Sequence, residues 1–124
     1  MKNLINVATL SVGEEYSEYT KTLLYSFMKA PICVKSFNIV TDTPELFLEI
    51  EKYVTRRGVD FHVKGIDSRE PIFIGKYFNY NLKRLALSLG SEVAKPGEYI
   101  MWVDSDSVFI PEYVEDLDVA LARS

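Results

Sequence analysis

Asp104 and Asp106 stand one residue apart at the end of an apolar run, Tyr99-Ile100-Met101-Trp102-Val103. A run of that length bounded by polar residues reads as a buried strand. On an extended segment residues i and i+2 point the same way, so the two carboxylates can converge on one hard divalent cation. Mg²⁺ or Mn²⁺ suits an all-oxygen donor set, and such a cation neutralises a diphosphate. If the strand belongs to a parallel sheet, both carboxylates emerge at its carboxyl edge, where open α/β sheets bind ligands. The same three residues, Asp-Ser-Asp, also describe a solvated acidic turn, and the preceding apolar strand is what favours a site.

Two other segments carry residue types that recognise phosphorylated ligands. Lys83 and Arg84 lie on a helical pattern that feeds the acidic strand, and an arginine fork suits phosphate or carboxylate. A solvated basic pair is the other reading of these two residues. Asn79 and Asn81 flank them and could bond sugar hydroxyls or simply mark a helix start. The loop from Thr9 to Tyr16 follows the first apolar run, and its Gly13 permits a close backbone approach. Tyr16 either stacks on a base or begins the core face of its helix. His62 has no second histidine to partner it and receives no catalytic role, and Cys33 reads as a small buried hydrophobe.

The elements that must position these residues alternate between extended and helical patterns. Leu4 to Leu10 reads as a buried strand, followed by a helix from Tyr16 to Met28 with Tyr16, Tyr19, Leu23, Leu24 and Phe27 at helical spacing. Val34 to Val40 is a second strand; Thr43 is placed to cap the next helix, with Pro44 at its first position. That helix carries Leu46, Ile50, Tyr53 and Val54 and stops at Gly58, before a third strand at Val59 to Val63. Gly65 to Gly75 is irregular. A longer helix, from about Lys76 to Val93, presents Phe78, Leu82, Leu85 and Leu89 to the core. Lys95-Pro96-Gly97 turns into the fourth strand, and Pro111 opens a last short helix with Val114, Leu117 and Leu121. The expected fold is α/β: a mostly parallel sheet with helices on both faces, a Rossmann-like arrangement.

Composition sets the outer bounds. At 124 residues the chain has room for one domain, and 48% hydrophobic with 26% charged residues is ordinary for a globular protein. A net charge of −4 with no Lys/Arg run argues against a nucleic-acid surface. The single cysteine excludes an intrachain disulfide framework and a cysteine-based zinc site, which is compatible with a cytoplasmic location. The N-terminal apolar run is broken by Asn6 and Thr9, so it reads as a strand and not as a signal peptide; nothing approaches a transmembrane length.

Taken together, these residues resemble the nucleotide-sugar-binding half of a GT-A-fold glycosyltransferase. The likeness rests on Val12-Gly13-Glu14-Glu15-Tyr16 after the first strand, on Phe37-Asn38-Ile39-Val40-Thr41-Asp42, on the helix with Lys83-Arg84, and on Met101-Trp102-Val103-Asp104-Ser105-Asp106-Ser107-Val108-Phe109. Order and spacing are closest to the retaining transferases of glycosyltransferase family 6, the blood-group type, with family 8 next. The resemblance implies that Asp104 and Asp106 bind Mn²⁺ or Mg²⁺ and, through it, the donor diphosphate. It implies that Arg84 contacts donor sugar or phosphate, that Ser105 joins the donor-binding set, and that Leu10, Ser11, Val12 and Tyr16 line the nucleoside pocket. The partners it implies are a nucleotide-sugar, most simply a UDP-sugar, and a glycan acceptor. The family's acceptor site and catalytic carboxylate come from a second half, so residues 1–124 are expected to be a donor-binding piece of a longer transferase, incomplete for catalysis and prone to self-association.

Two alternatives share the acidic strand. In haloacid-dehalogenase-type phosphatases a similar strand supplies a nucleophile and an acid/base, roles that would fall to Asp104 and Asp106. That motif normally opens its chain, with a lysine and further acids downstream; here Glu112, Glu115, Asp116 and Asp118 follow, and no lysine does. The other alternative is a non-catalytic module that binds a nucleotide-sugar at the same site.

Overall fold

Two runs, Ile5–Ser11 (β1) and Val34–Thr41 (β2), are almost wholly buried, as strands covered on both faces of a parallel sheet must be. The computed structural model describes residues 5–29, 34–67 and 78–105. Within them β1 leads to helix α1 (Glu14–Lys29) and β2; a 3₁₀ turn, Pro44–Phe47, runs into α2 (Leu48–Thr55) and then β3 (Asp60–Gly65). Helix α3 (Phe78–Val93) precedes β4 (Tyr99–Trp102). The four strands lie in the order β3-β2-β1-β4, and every neighbouring pair is parallel. The expected α/β class is what the chain adopts.

Register assigns the two faces. Val7 pairs with Phe37 and Met101, and this row packs under α1 and α2 in a core that includes Leu23, Leu24, Phe27, Ile39, Ile50 and Val54. Ala8 pairs with Asn38 and Trp102 and belongs to the opposite row, which faces α3. There α3 comes very close: a Cβ built on Gly90 would stand 3.2 Å from Ile100 Cγ2 and 3.6 Å from the Ala8 methyl. Right-handed crossovers explain the split. Steps from β1 to β2 to β3 move one way across the sheet, whereas the step to β4 moves back, so its helix lands on the other face.

Several expectations about the elements need correction. Helix α1 begins two residues early, with Glu14 and Glu15 in its first turn, where the helix dipole favours acids. Its buried stripe is Ser17, Thr20, Leu23, Leu24 and Phe27, while Tyr16 and Tyr19 are 46% and 47% exposed. Small hydroxyl residues let this end of the helix approach β1, where the Thr20 and Ser11 hydroxyls hydrogen-bond at 2.8 Å. Thr43 makes no side-chain cap; its backbone N–H and its hydroxyl both engage Thr41 Oγ1, and the following turn is 3₁₀. The buried stripe of α3 is Leu82, Ala86 and Gly90, with Leu85 and Leu89 only half-buried. The strand ends shift by one or two residues, and β3 continues through Gly65. Cys33, residues 68–77 and the helix expected from Pro111 lie outside the described residues, as do the side chains of Phe78, Asn79 and Asn81.

Candidate functional site

The strand order creates a reversal between β1 and β4. From β1 the chain passes to β2 on one side, whereas β4 docks on the other side after crossing the opposite face. Such switch points leave a crevice at the carboxyl ends of the two strands. A cleft of about 350 Å³ lies there, lined by Leu10, Val12, Tyr16, Lys83, Trp102, Asp104 and Ser105. That volume falls at the lower end of the range for small-molecule sites.

Hydrogen bonds from backbone and side chains shape the walls of this cleft. Pairing between β1 and β4 ends at Ala8 and Trp102, after which the Val103 N–H donates to the Ala8 carbonyl at 3.1 Å. The Thr9 hydroxyl then donates to the Val103 carbonyl at 2.6 Å, taking an acceptor that the ladder would otherwise use. Asp104 and Ser105 are thereby released from the ladder and border the cleft. On the other wall, Gly13 has φ +96°, a conformation that favours glycine, and its N–H donates to Asp42 Oδ1 at 2.9 Å. The loop after β1 is thus tied to the end of β2, and it delivers Tyr16 at the start of α1.

The chemistry of the cleft is concentrated in three side chains. The Trp102 indole N–H donates to Asp104 Oδ1 at 3.2 Å. The Lys83 ammonium lies 5.0 Å from the centroid of the same indole, within cation–π range. Carboxylate, aromatic ring and cation therefore form one contiguous group beside the apolar Leu10 and Val12.

Of the residues expected to bind a ligand, Leu10, Val12, Tyr16, Asp104 and Ser105 come together in this cleft. Ser11 does not reach it: its buried side chain turns to α1 and bonds Thr20. Arg84 is exposed and is not among the described residues that line the cleft; Lys83 is. The reason is the α3 stripe. With Leu82, Ala86 and Gly90 against the sheet, Lys83 stands about 60° from the stripe's centre and Arg84 about 160° away, at 100° per residue. Had Leu85 and Leu89 faced the sheet, the two basic residues would have been equally far from it, so the apolar pattern alone did not separate them. In the sequence Trp102 carries only the signal of an apolar strand, although its place two residues before Asp104 puts both on one face. His62 sits on β3, two strands from β1, remote from the cleft.

Asp106 lies outside the described residues. Among the described residues no group of three or more His, Cys, Asp or Glu side chains stands together. A closed protein cage is not what Mg²⁺ requires, since it commonly takes one or two carboxylates and completes its shell with water and phosphate oxygens. The donors on offer, Asp104 and Ser105, are hard oxygens. The indole engages one oxygen of Asp104, and an ionised carboxylate can accept several more contacts. The residues present therefore fit a cation shared with a phosphorylated ligand.

No protein-family model, no curated protein and no solved structure matches this chain. Among the described residues no helix is long and apolar enough to cross a membrane.

Proposed function

We propose that this chain is the donor-binding half of a metal-dependent glycosyltransferase, which takes a nucleotide-sugar and delivers its hexose to a glycan acceptor. The observation that carries the reading is the joining of Leu10, Val12 and Tyr16 with Lys83, Asp104 and Ser105 in one cleft at the β1/β4 switch point. The apolar and aromatic part suits a nucleobase, which stacks on flat side chains. The ionic part suits a diphosphate. Mn²⁺ or Mg²⁺ held by Asp104, with Asp106 two residues on, would offset phosphate charge that the carboxylates alone would repel, and would draw the donor's leaving phosphate toward the strand end. Lys83 supplies a further positive charge from α3. For the transfer step a catalytic carboxylate and an acceptor site are still required, and no residue here is assigned to either.

Calorimetric titration of UDP and UDP-galactose with and without Mn²⁺ tests this. Binding should need the metal and should be lost in Asp104→Asn, with the fold intact by circular dichroism. Equal affinity in excess chelator, or an unaffected Asp104→Asn variant, would refute the metal-dependent reading.

A further inference from the structure

Trp102 is half-buried on β4, and neither base stacking by Tyr16 nor charge compensation by Lys83 gives it a task. A partly buried indole N–H usually finds an acceptor. Here that acceptor is the cleft carboxylate, Asp104 Oδ1, and not a backbone carbonyl of the sheet. The opposite partner is equally specific: the Lys83 ammonium lies over the ring at 5.0 Å. A cation on the π face draws electron density from the indole and makes its N–H a stronger donor. An exposed aspartate otherwise samples several rotamers, and selecting one of them costs entropy at the moment of binding.

We propose that Trp102 is a positioning residue for Asp104: its N–H holds the carboxylate in the rotamer that receives the cation, and Lys83 strengthens that hold through the ring. This rests on the reading of Asp104 as a cation ligand. It adds that the site's affinity for the metal alone is set in part by a residue that never touches the metal. Outer partners of this kind are commonly worth 10- to 100-fold in metal affinity.

The test removes the N–H and little else. Trp102 is replaced by 3-benzothienylalanine, which keeps the bicyclic shape and π face but carries sulfur in place of the N–H. Mn²⁺ affinity, without nucleotide, is read from the electron paramagnetic resonance signal of the free ion. About tenfold weaker binding is expected, with an unchanged thermal midpoint. Trp102→Phe, a second and coarser variant, should weaken binding in the same direction. Because Trp102 is the sole tryptophan, Mn²⁺ should also quench the fluorescence of the unmodified protein, and Asp104→Asn should abolish that quenching. If the analogue binds Mn²⁺ like the unmodified protein while Asp104→Asn does not bind, the positioning role is overturned and the cation site stands. If Asp104→Asn binds Mn²⁺ normally, both are overturned.

Discussion

Lys83 and Arg84 are neighbours with the same charge, yet the fold gives them different surroundings. Both are exposed on α3, but Lys83 borders the cleft and lies over Trp102, whereas Arg84 is outside the cleft lining. If the cleft takes a diphosphate, Lys83→Met should lower nucleotide affinity about fivefold. That figure corresponds to about 1 kcal/mol, appropriate to an exposed cation whose attraction is screened by solvent. Arg84→Met should leave the affinity unchanged. Titration of the two variants with UDP and Mn²⁺ distinguishes them, and a larger loss at Arg84 would mean that α3 turns its other face to the ligand. That Asp104, Leu10, Val12 and Tyr16 gather at the carboxyl edge of the sheet was legible, because a loop or strand end after a parallel strand lies at that edge whatever the packing. The choice between Lys83 and Arg84 was not legible, since it depends on a helix rotation fixed by contacts with Ala8 and Ile100.

At the scale of elements, β1 and β2 could be read from their Ile, Val, Leu and Phe residues, although each also buries an asparagine, Asn6 or Asn38, that hydrogen-bonds within the sheet. Helix α3 could be located but not oriented. Ala86 and Gly90 carry little hydrophobic signal, while Leu85 and Leu89 carry much, so the pattern sets the buried stripe about 70° away from where it lies. What decides the orientation is distance: small residues let the helix backbone approach the sheet, as the space above Ala8 demands. Gly90→Val should therefore destabilise the fold by about 1–3 kcal/mol, the usual range for overpacking. Its branched methyls would meet Ala8 and Ile100, and chemical denaturation would register the loss. A neutral or stabilised Gly90→Val would show that α3 can lift away from the sheet without cost. At Thr43 the expected cap is absent, and its hydroxyl instead meets the Thr41 hydroxyl at 3.2 Å.

At the scale of the whole molecule, the two edges of the sheet do different work. The carboxyl edge opens into the cleft, while the amino edge is closed by Glu98, just before β4. Glu98 Oε1 accepts from Lys35 Nζ at 2.8 Å, from the Lys95 N–H at 2.8 Å and from Asn6 Nδ2 at 3.2 Å, joining β1, β2 and the turn into β4. The Lys35 hydrogen bond first, then the Lys95 N–H, lowers the Glu98 carboxyl from 4.5 to about 2. Because the folded value lies below the unfolded one, the stabilisation is complete above about pH 4.5 and is lost as pH falls toward 2. Glu98→Gln should therefore lower the thermal midpoint at pH 7, flatten its decline between those two pH values, and converge with the unmodified protein at the acid end. Parallel midpoint profiles for the two proteins across that window would show that Glu98 is not coupled to folding. Asn6 and Leu10 are separated by four residues along β1, roughly 13 Å of strand, beyond the distance at which substitutions usually couple. If the cleft binds nucleotide and Mn²⁺ as proposed, Glu98→Gln should consequently leave both affinities unchanged at a temperature where the variant is folded. A parallel loss of binding would instead mean that β4 transmits its seating at the amino edge to Trp102 and Asp104 at the other end.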